Sequence, residues 1–200
     1  MKKVYIVIFV MLISMSVFAQ NSVTALTYTI SVPTKDTQKF IENESYLGIG
    51  FDAKTYVMDW MKVGGYIGWQ VMYGQTDEVL ELEKGHVSGN QFRYINSFPL
   101  MLNSHIYLGG VDCFRPFVGI NAGGYYVWER FEMGLIVLED KKMRWGVAPE
   151  VGFTVPIGDV HLQLGVKYNI AIAPSESNIF DDPMNTSYVS FHIGFAYNEW

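Results

Sequence analysis

The fold turns on the stretch Trp145-Gly146-Val147-Ala148-Pro149-Glu150-Val151-Gly152-Phe153-Thr154-Val155-Pro156-Ile157, then Gly158-Asp159, then Val160-His161-Leu162-Gln163-Leu164-Gly165-Val166-Lys167-Tyr168-Asn169-Ile170-Ala171-Ile172. Before the turn the odd positions Trp145, Val147, Val151, Phe153 and Val155 are apolar, and small or polar residues lie between them. After the turn the even positions Leu162, Leu164, Val166, Tyr168, Ile170 and Ile172 take over that role. A period of two is the mark of a strand with two different faces. Gly158-Asp159 suits a two-residue hairpin turn. Closing it pairs Ile157 with Val160, and the register then follows without further choice. Val155 meets Leu162, Phe153 meets Leu164, Val151 meets Val166 and Trp145 meets Ile172. On the other face Thr154 meets Gln163, Gly152 meets Gly165, and Glu150 meets Lys167. Apolar meets apolar, and the two charges meet each other.

The same period runs outward in both directions. It is weak near Ser22–Val32 and clear through Leu47–Lys54, Val63–Tyr73, Phe92–His105, Phe114–Glu129 and Val189–Tyr197. With the hairpin the count is about eight strands. Charges at mid-strand fall on the polar phase, as Asp52, Arg93, Glu150 and Lys167 do, and none falls on the apolar phase. The apolar phase is bulky, and its rings gather near strand ends: Tyr73, Phe92, Tyr126, Trp128 and Trp145 at one rim, Phe114, Phe195 and Tyr197 at the other. A membrane barrel turns its apolar face out to lipid between two aromatic girdles, whereas a soluble barrel turns it inward. The expected fold is therefore all-β: a closed antiparallel up-and-down transmembrane β-barrel of about eight strands.

Connection lengths point the same way. They alternate long (32–45), short (57–61), long (75–90), short (108–112), long (130–142), short (157–160) and long (173–187). Short periplasmic turns and longer outer loops are the rule for such barrels. The long segments carry the charge, as in Asp77-Glu78, Glu81–Lys84 and Glu139-Asp140-Lys141-Lys142. Asn96, on the lipid phase, and Pro149, in mid-strand, resist the pattern, and a β-bulge near each is the expected accommodation. Tyr197 reads as the terminal in-phase aromatic, with Asn198-Glu199-Trp200 as a short tail. A short helix is expected within Thr34–Asn43, as decoration of the first loop.

Met1-Lys2-Lys3, an apolar run from Val4, and small residues up to Ala19 make a secretory signal peptide over residues 1–19, leaving residues 20–200 as one barrel domain. Export implies a bacterial outer membrane. Acidic residues number 20 against 14 basic ones, which argues against nucleic acid as a partner. Charged residues make up 17% of the chain, against a usual value of about 25%, while aromatics reach 16%; this composition suits a barrel wall better than a helical core. Cys113 is the sole cysteine, so no intramolecular disulfide forms, and it is expected to be a tucked-away hydrophobe.

The segments Arg115-Pro116-Phe117-Val118-Gly119, Gly123-Gly124-Tyr125-Tyr126, Ala148-Pro149-Glu150-Val151-Gly152, Lys167-Tyr168-Asn169 and Phe191-His192-Ile193-Gly194-Phe195 resemble those of the small outer membrane beta-barrel, porin-family proteins. The resemblance spans nearly the whole chain after residue 19. It implies an eight-stranded OmpX/OmpW-like barrel and makes Pro116 and Pro149 family features. It transfers no activity, because that fold hosts several roles.

The candidate site is a lumenal polar network of Asp52, Lys54, Arg93, His105, Arg144, Glu150, Lys167 and His192. Its first reading is a plug of ion pairs that fixes the barrel's shape. Its second is a narrow channel for small solutes or hydrophobic compounds, disfavoured by the narrow lumen of eight strands. A lipid-modifying enzyme is the weakest reading. Ser190 and His192 share a face, as do Asn103 and His105, but both faces point into the lumen, away from lipid. The four histidines lack ligand spacing, so no metal and no cofactor is expected. The expected partners are outer-membrane lipid, the barrel-assembly machinery during insertion, and a surface partner reached through the loops 32–45, 75–90, 130–142 and 173–187. The barrel is expected to be a monomer.

Overall fold

The computed structural model describes residues 22–76, 80–82, 85–87, 91–110, 113–134, 136–173 and 184–197, with the backbone alone for 80–82 and 85–87. The elements are β1 (Ser22–Pro33), α1 (Lys35–Phe40), β2 (Leu47–Met58), β3 (Met61–Thr76), β4 (Leu80–Leu82), β5 (Gly85–Val87), β6 (Gln91–Tyr107), β7 (Arg115–Met133), β8 (Ile136–Ile157), β9 (Val160–Ile172) and β10 (Thr186–Tyr197). Eight strands close in the order β1-β10-β9-β8-β7-β6-β3-β2, each antiparallel to its neighbours, while β4 and β5 form a separate ribbon. Closure matters because it leaves no unpaired sheet edge within a hydrocarbon layer.

The decisive hairpin has the register its sequence dictates. Ile157 pairs with Val160, Glu150 with Lys167 and Trp145 with Ile172, and Gly158 takes the left-handed conformation at φ 64°. Outward positions are apolar and bare: Leu102 is 76% exposed and Trp145 72%. Inward positions include Lys62 and His105 at 0%. This is the inverse of a water-soluble domain and matches a wall selected by lipid. Aromatic contacts reinforce both rims, Tyr73 with Phe92 and Phe98 with Tyr126 at one, Phe114 with Phe153 at the other.

Several expectations need correction. No bulge occurs at Asn96 or Pro149. The β6–β7 register runs unbroken through both Asn96 and Pro99, and β8–β9 resumes at Glu150–Lys167 in the register it had at Val147–Ile170. A residue in an antiparallel ladder points its N–H at one neighbour only, so a proline interrupts pairing on one side without shifting the strand. Pro149 still pairs with Ile120 on the β7 side. Asn96 satisfies its carbonyl by accepting a bond from Trp69 Nε1 at 3.3 Å. The one register shift in the β2–β3 ladder lies between Tyr56 and Met58.

The segment 130–142 is no loop. β7 and β8 run on to Met133 and Ile136, with Gly134 in the turn at φ 58°. Its charges look like a loop's, but they pair across strands. Arg130 opposes Glu139, and Lys141 lies 4.4 Å from the Trp128 ring it opposes. With β3 and β6 paired as far as Thr76 and Gln91, four strands rise above the Trp145–Ile172 pair, the top of the β8–β9 ladder. Cys113 is exposed rather than tucked away, its thiol 3.4 Å from the Gly110 carbonyl at a turn residue.

α1 is also more than decoration. It folds over the barrel mouth with Thr37, Phe40 and Ile41 buried. Thr34 N donates to Ser187 O at 2.9 Å, and Ser187 N donates to Thr37 Oγ1 at 2.7 Å, tying the helix to β10. Residues 1–19, the tail Asn198–Trp200 and much of loop 173–187 lie outside the described residues, as do the side chains at 77–90.

Candidate functional site

The barrel interior is built in layers by the inward phase of each strand. At the end with the short turns, Lys62 lies 4.2 Å from the Tyr107 ring and Arg115 4.8 Å from the same ring. Arg115 also donates to Tyr56 Oη at 3.1 Å. Aromatic faces thus help to stabilise two buried cations, and Arg115 also donates to the Asp59 carbonyl.

The next layer centres on Glu150. Lys167 Nζ stands 3.3 Å from its carboxylate, as the hairpin register requires. Asn121 donates to Oε2 at 2.8 Å. His105 Nε2 approaches Oε2 at 3.4 Å and His192 Nε2 approaches Oε1 at 3.3 Å, contacts that are close but not aligned as hydrogen bonds. Lys167 also lies 3.6 Å from the centre of the Tyr66 ring. Asp52 forms a second focus, pairing with Lys54 and accepting from Asn103 Nδ2 at 2.8 Å. Two glycines make room for the imidazoles. A Cβ on Gly119 would fall on the His105 ring, and one on Gly165 would lie 2.6 Å from His192 Cε1. A void of about 10 Å³ lies beside Glu150, room for at most a single water.

Above lies a hydroxyl and amide layer. Tyr125 Oη donates to Asn169 Oδ1 at 3.1 Å, Asn169 donates to Ser190 Oγ at 2.8 Å, and Ser97 and Tyr188 share a bond of 3.2 Å. Higher still the lumen turns apolar at Met72 and Ile95, which join Phe40 and Ile41 of the α1 segment in one buried cluster that reaches down through Val127 and Tyr125 to Met101. Arg144 caps this layer, bonded to Glu129 at 2.7 Å and to Met184 O at 3.0 Å.

The eight residues of the candidate network therefore do not form one cluster. Asp52, Lys54, His105, Glu150, Lys167 and His192 meet at mid-barrel. Arg144 sits near the mouth with Glu129, and Arg93 sits there too, donating to Phe40 O at 3.2 Å and to Gln91 Oε1 at 2.8 Å. Strand phase placed all eight on the inner face, but height along the barrel depends on register across several ladders. Sequence reasoning missed the apolar layer, although Met72, Ile95, Tyr125 and Val127 all occupy the inward phase. It also missed both histidine contacts to Glu150, which cross strands distant in sequence.

The arrangement offers charge compensation and little reactive chemistry. Ser190 takes its bond from Asn169, and His192 faces Glu150. Among the described residues no three of the histidine, cysteine or carboxylate groups are placed to hold a metal.

No protein-family model matches the chain, and no curated protein matches it. Solved structures do. Ail, the attachment invasion locus protein of Yersinia pestis, is 9% identical, covers 89% of this chain and 97% of its own, and superposes with a TM-score of 0.51. This chain has the fold of the small eight-stranded outer-membrane barrels. OprG of Pseudomonas aeruginosa, an outer membrane protein, is 15% identical over 88% of this chain and 95% of its own, at a TM-score of 0.49. The N-terminal barrel domain of OprF from the same organism gives 9%, 89%, 98% and 0.49 for the same measures. At these identities the likeness concerns fold alone.

Proposed function

We propose that the chain is a closed, monomeric barrel of a bacterial outer membrane, with a structural or surface-interactive role exercised through its outer end. The observation that carries this reading is the filled lumen. Ion pairs occupy mid-barrel, and the α1 segment occupies the mouth. A wall of exposed Leu, Ile, Phe and Trp side chains supports placement in lipid, and two aromatic rims support a depth that spans it. The long-connection end carries the four raised strands, with half-buried Arg130 and Glu132 and exposed Glu139 and Lys141 in ion pairs, so a partner would be met there. No catalytic step belongs to this reading, nor does a cofactor. The packed charge layer around Glu150 supports this reading over a channel.

Single-channel recording in planar bilayers tests it, with heat-modifiable gel mobility confirming the folded barrel. The expected result is shifted mobility without discrete current steps. Stable current steps from the folded protein would replace this reading with a channel.

A further inference from the structure

Arg93 is a half-buried cation whose hydrogen bonds go to neutral groups. Its Nη1 donates to Phe40 O at 3.2 Å and its Nη2 to Gln91 Oε1 at 2.8 Å. The Phe40 and Phe131 rings flank it at 5.5 and 5.9 Å, and its Nε is buried without a hydrogen-bond partner. Among the described residues no carboxylate forms an ion pair with it. Beside it lies a cavity of about 160 Å³, walled by residues 39–43 on one side and Gly74–Thr76 on the other. We propose that this cavity binds a small hydroxylated carboxylic acid, a sugar acid, with its carboxylate on Arg93. The inference deepens the surface role proposed above and rests on the outer end facing the medium.

A guanidinium is planar, and its fork of donors matches the two oxygens of a carboxylate. The flanking rings and neutral acceptors hold that plane before any ligand arrives, so little order is lost on binding. Both walls of the cavity are fixed. Gly74, Gln75 and Thr76 pair with Arg93, Phe92 and Gln91 in the β3–β6 ladder. The opposite wall is tied at its start by the bonds of Thr34 and Thr37 with Ser187. Just beyond its end Ser45 exchanges backbone bonds of 2.7 and 2.8 Å with Ser31 and donates through its hydroxyl to Val71 O. Lys39, Glu42, Asn43 and Gln75 line the cavity and are exposed, so it opens to the outside. Asn43 and Gln75 bring amides and Thr76 a hydroxyl, groups that bond the hydroxyls of a sugar. Glu42 accepts from hydroxyls too, and it repels further negative charge, which favours one carboxylate over a polyanion. Lys39 shares its charge with Asp36 at 3.2 Å, which leaves Arg93 as the anchor.

The test uses the full chain in lipid nanodiscs at about 0.15 M salt. Its arginine side chains are labelled, and the Arg93 Nε–H signal is followed as glucuronate is added. The expected result is a saturable shift with a dissociation constant on the order of 1 mM. Glucose keeps the hydroxyls without the charge, and inorganic sulfate keeps charge without the carbon-bound hydroxyls. Each should bind at least about tenfold more weakly than glucuronate. In Arg93→Gln with unchanged heat-modifiable mobility, glucuronate binding should weaken by at least about tenfold, read from the sugar's own saturation-transfer signals. Methyl glucuronide mimics the end residue of a glycan. Binding equal to that of glucuronate assigns the site to such an end, and weaker binding assigns it to the free acid. If the Arg93 signal stays fixed, or glucose or sulfate moves it as readily, the proposal falls. Undiminished binding to a folded Arg93→Gln variant overturns it too. The native chain with its probes decides alone should the variant fail to fold, and gel mobility separates this failure from failure of the barrel reading.

Discussion

At the scale of single residues, Glu150 carries the most. It is buried at 2% exposure and faces Lys167, His105, His192 and Asn121 together. Removing one partner of a buried pair leaves a charge without compensation, at a cost of about 3–5 kcal/mol. Glu150→Gln should lower stability by that order, read from the urea midpoint of tryptophan fluorescence in lipid vesicles. Adding Lys167→Met should restore at least half, because the stranded cation is then gone. A single variant as stable as the native chain would show that the layer is not held by this carboxylate. Glu139 is a contrasting case, on the raised hairpin and exposed to water. Its hydrogen bond and charge contact with Lys141 hold its carboxyl below the usual glutamate range. A depressed value means that the contribution to stability is present above the unfolded value and is lost as pH falls through the folded one. Carbon-detected titration should show the low midpoint in dilute buffer and a return towards the ordinary value in molar salt, since exposed pairs are screened. A midpoint indifferent to salt and to Lys141→Ala would refute the assignment.

At the scale of elements, what could be read in the sequence depended on how many strands a feature involved. The Gly158-Asp159 hairpin was legible to the individual pair, because one turn fixes one ladder. The raised part of β7 and β8 was misread, because its charges mimic a loop until Arg130 is seen opposite Glu139. The α1 segment was legible as a helix but not as a plug, since its apolar residues Phe40 and Ile41 find partners on β3, β6 and β7. Glycine spacing on β7 and β9 is a subtler case: Gly119 and Gly165 pass for ordinary small residues, yet they vacate the space that His105 and His192 fill. Gly165→Ala should therefore cost about 1–3 kcal/mol by overpacking, whereas Gly110→Ala, with nothing within 4 Å of its added Cβ, should cost little. Equal effects in the same urea assay would mean that the imidazoles are free to move aside. Replacing residues 130–139 by a short turn should leave heat-modifiable mobility intact, because the β8–β9 ladder ends below it at Trp145–Ile172. It should also abolish any surface adhesion the native chain confers on cells, and adhesion that survives would move the interactive surface elsewhere.

At the scale of the whole molecule, the account rests on which face of the wall meets lipid. The alternation of side chains along each strand gave the fold and the inner set of residues. It could not give their vertical order, which is set by the combined register of eight ladders, nor the apolar upper lumen, which breaks the polar-inside rule locally. The most direct measurement is a cysteine scan of β9 in a Cys113→Ser background, with a fluorescent label placed in turn at residues 162–167 and quenched by brominated lipid. Strong quenching at Leu162, Leu164 and Val166 with weak quenching at Gln163, Gly165 and Lys167 is the expected result. The opposite alternation, or none, would contradict the inside-out barrel and every layer built upon it.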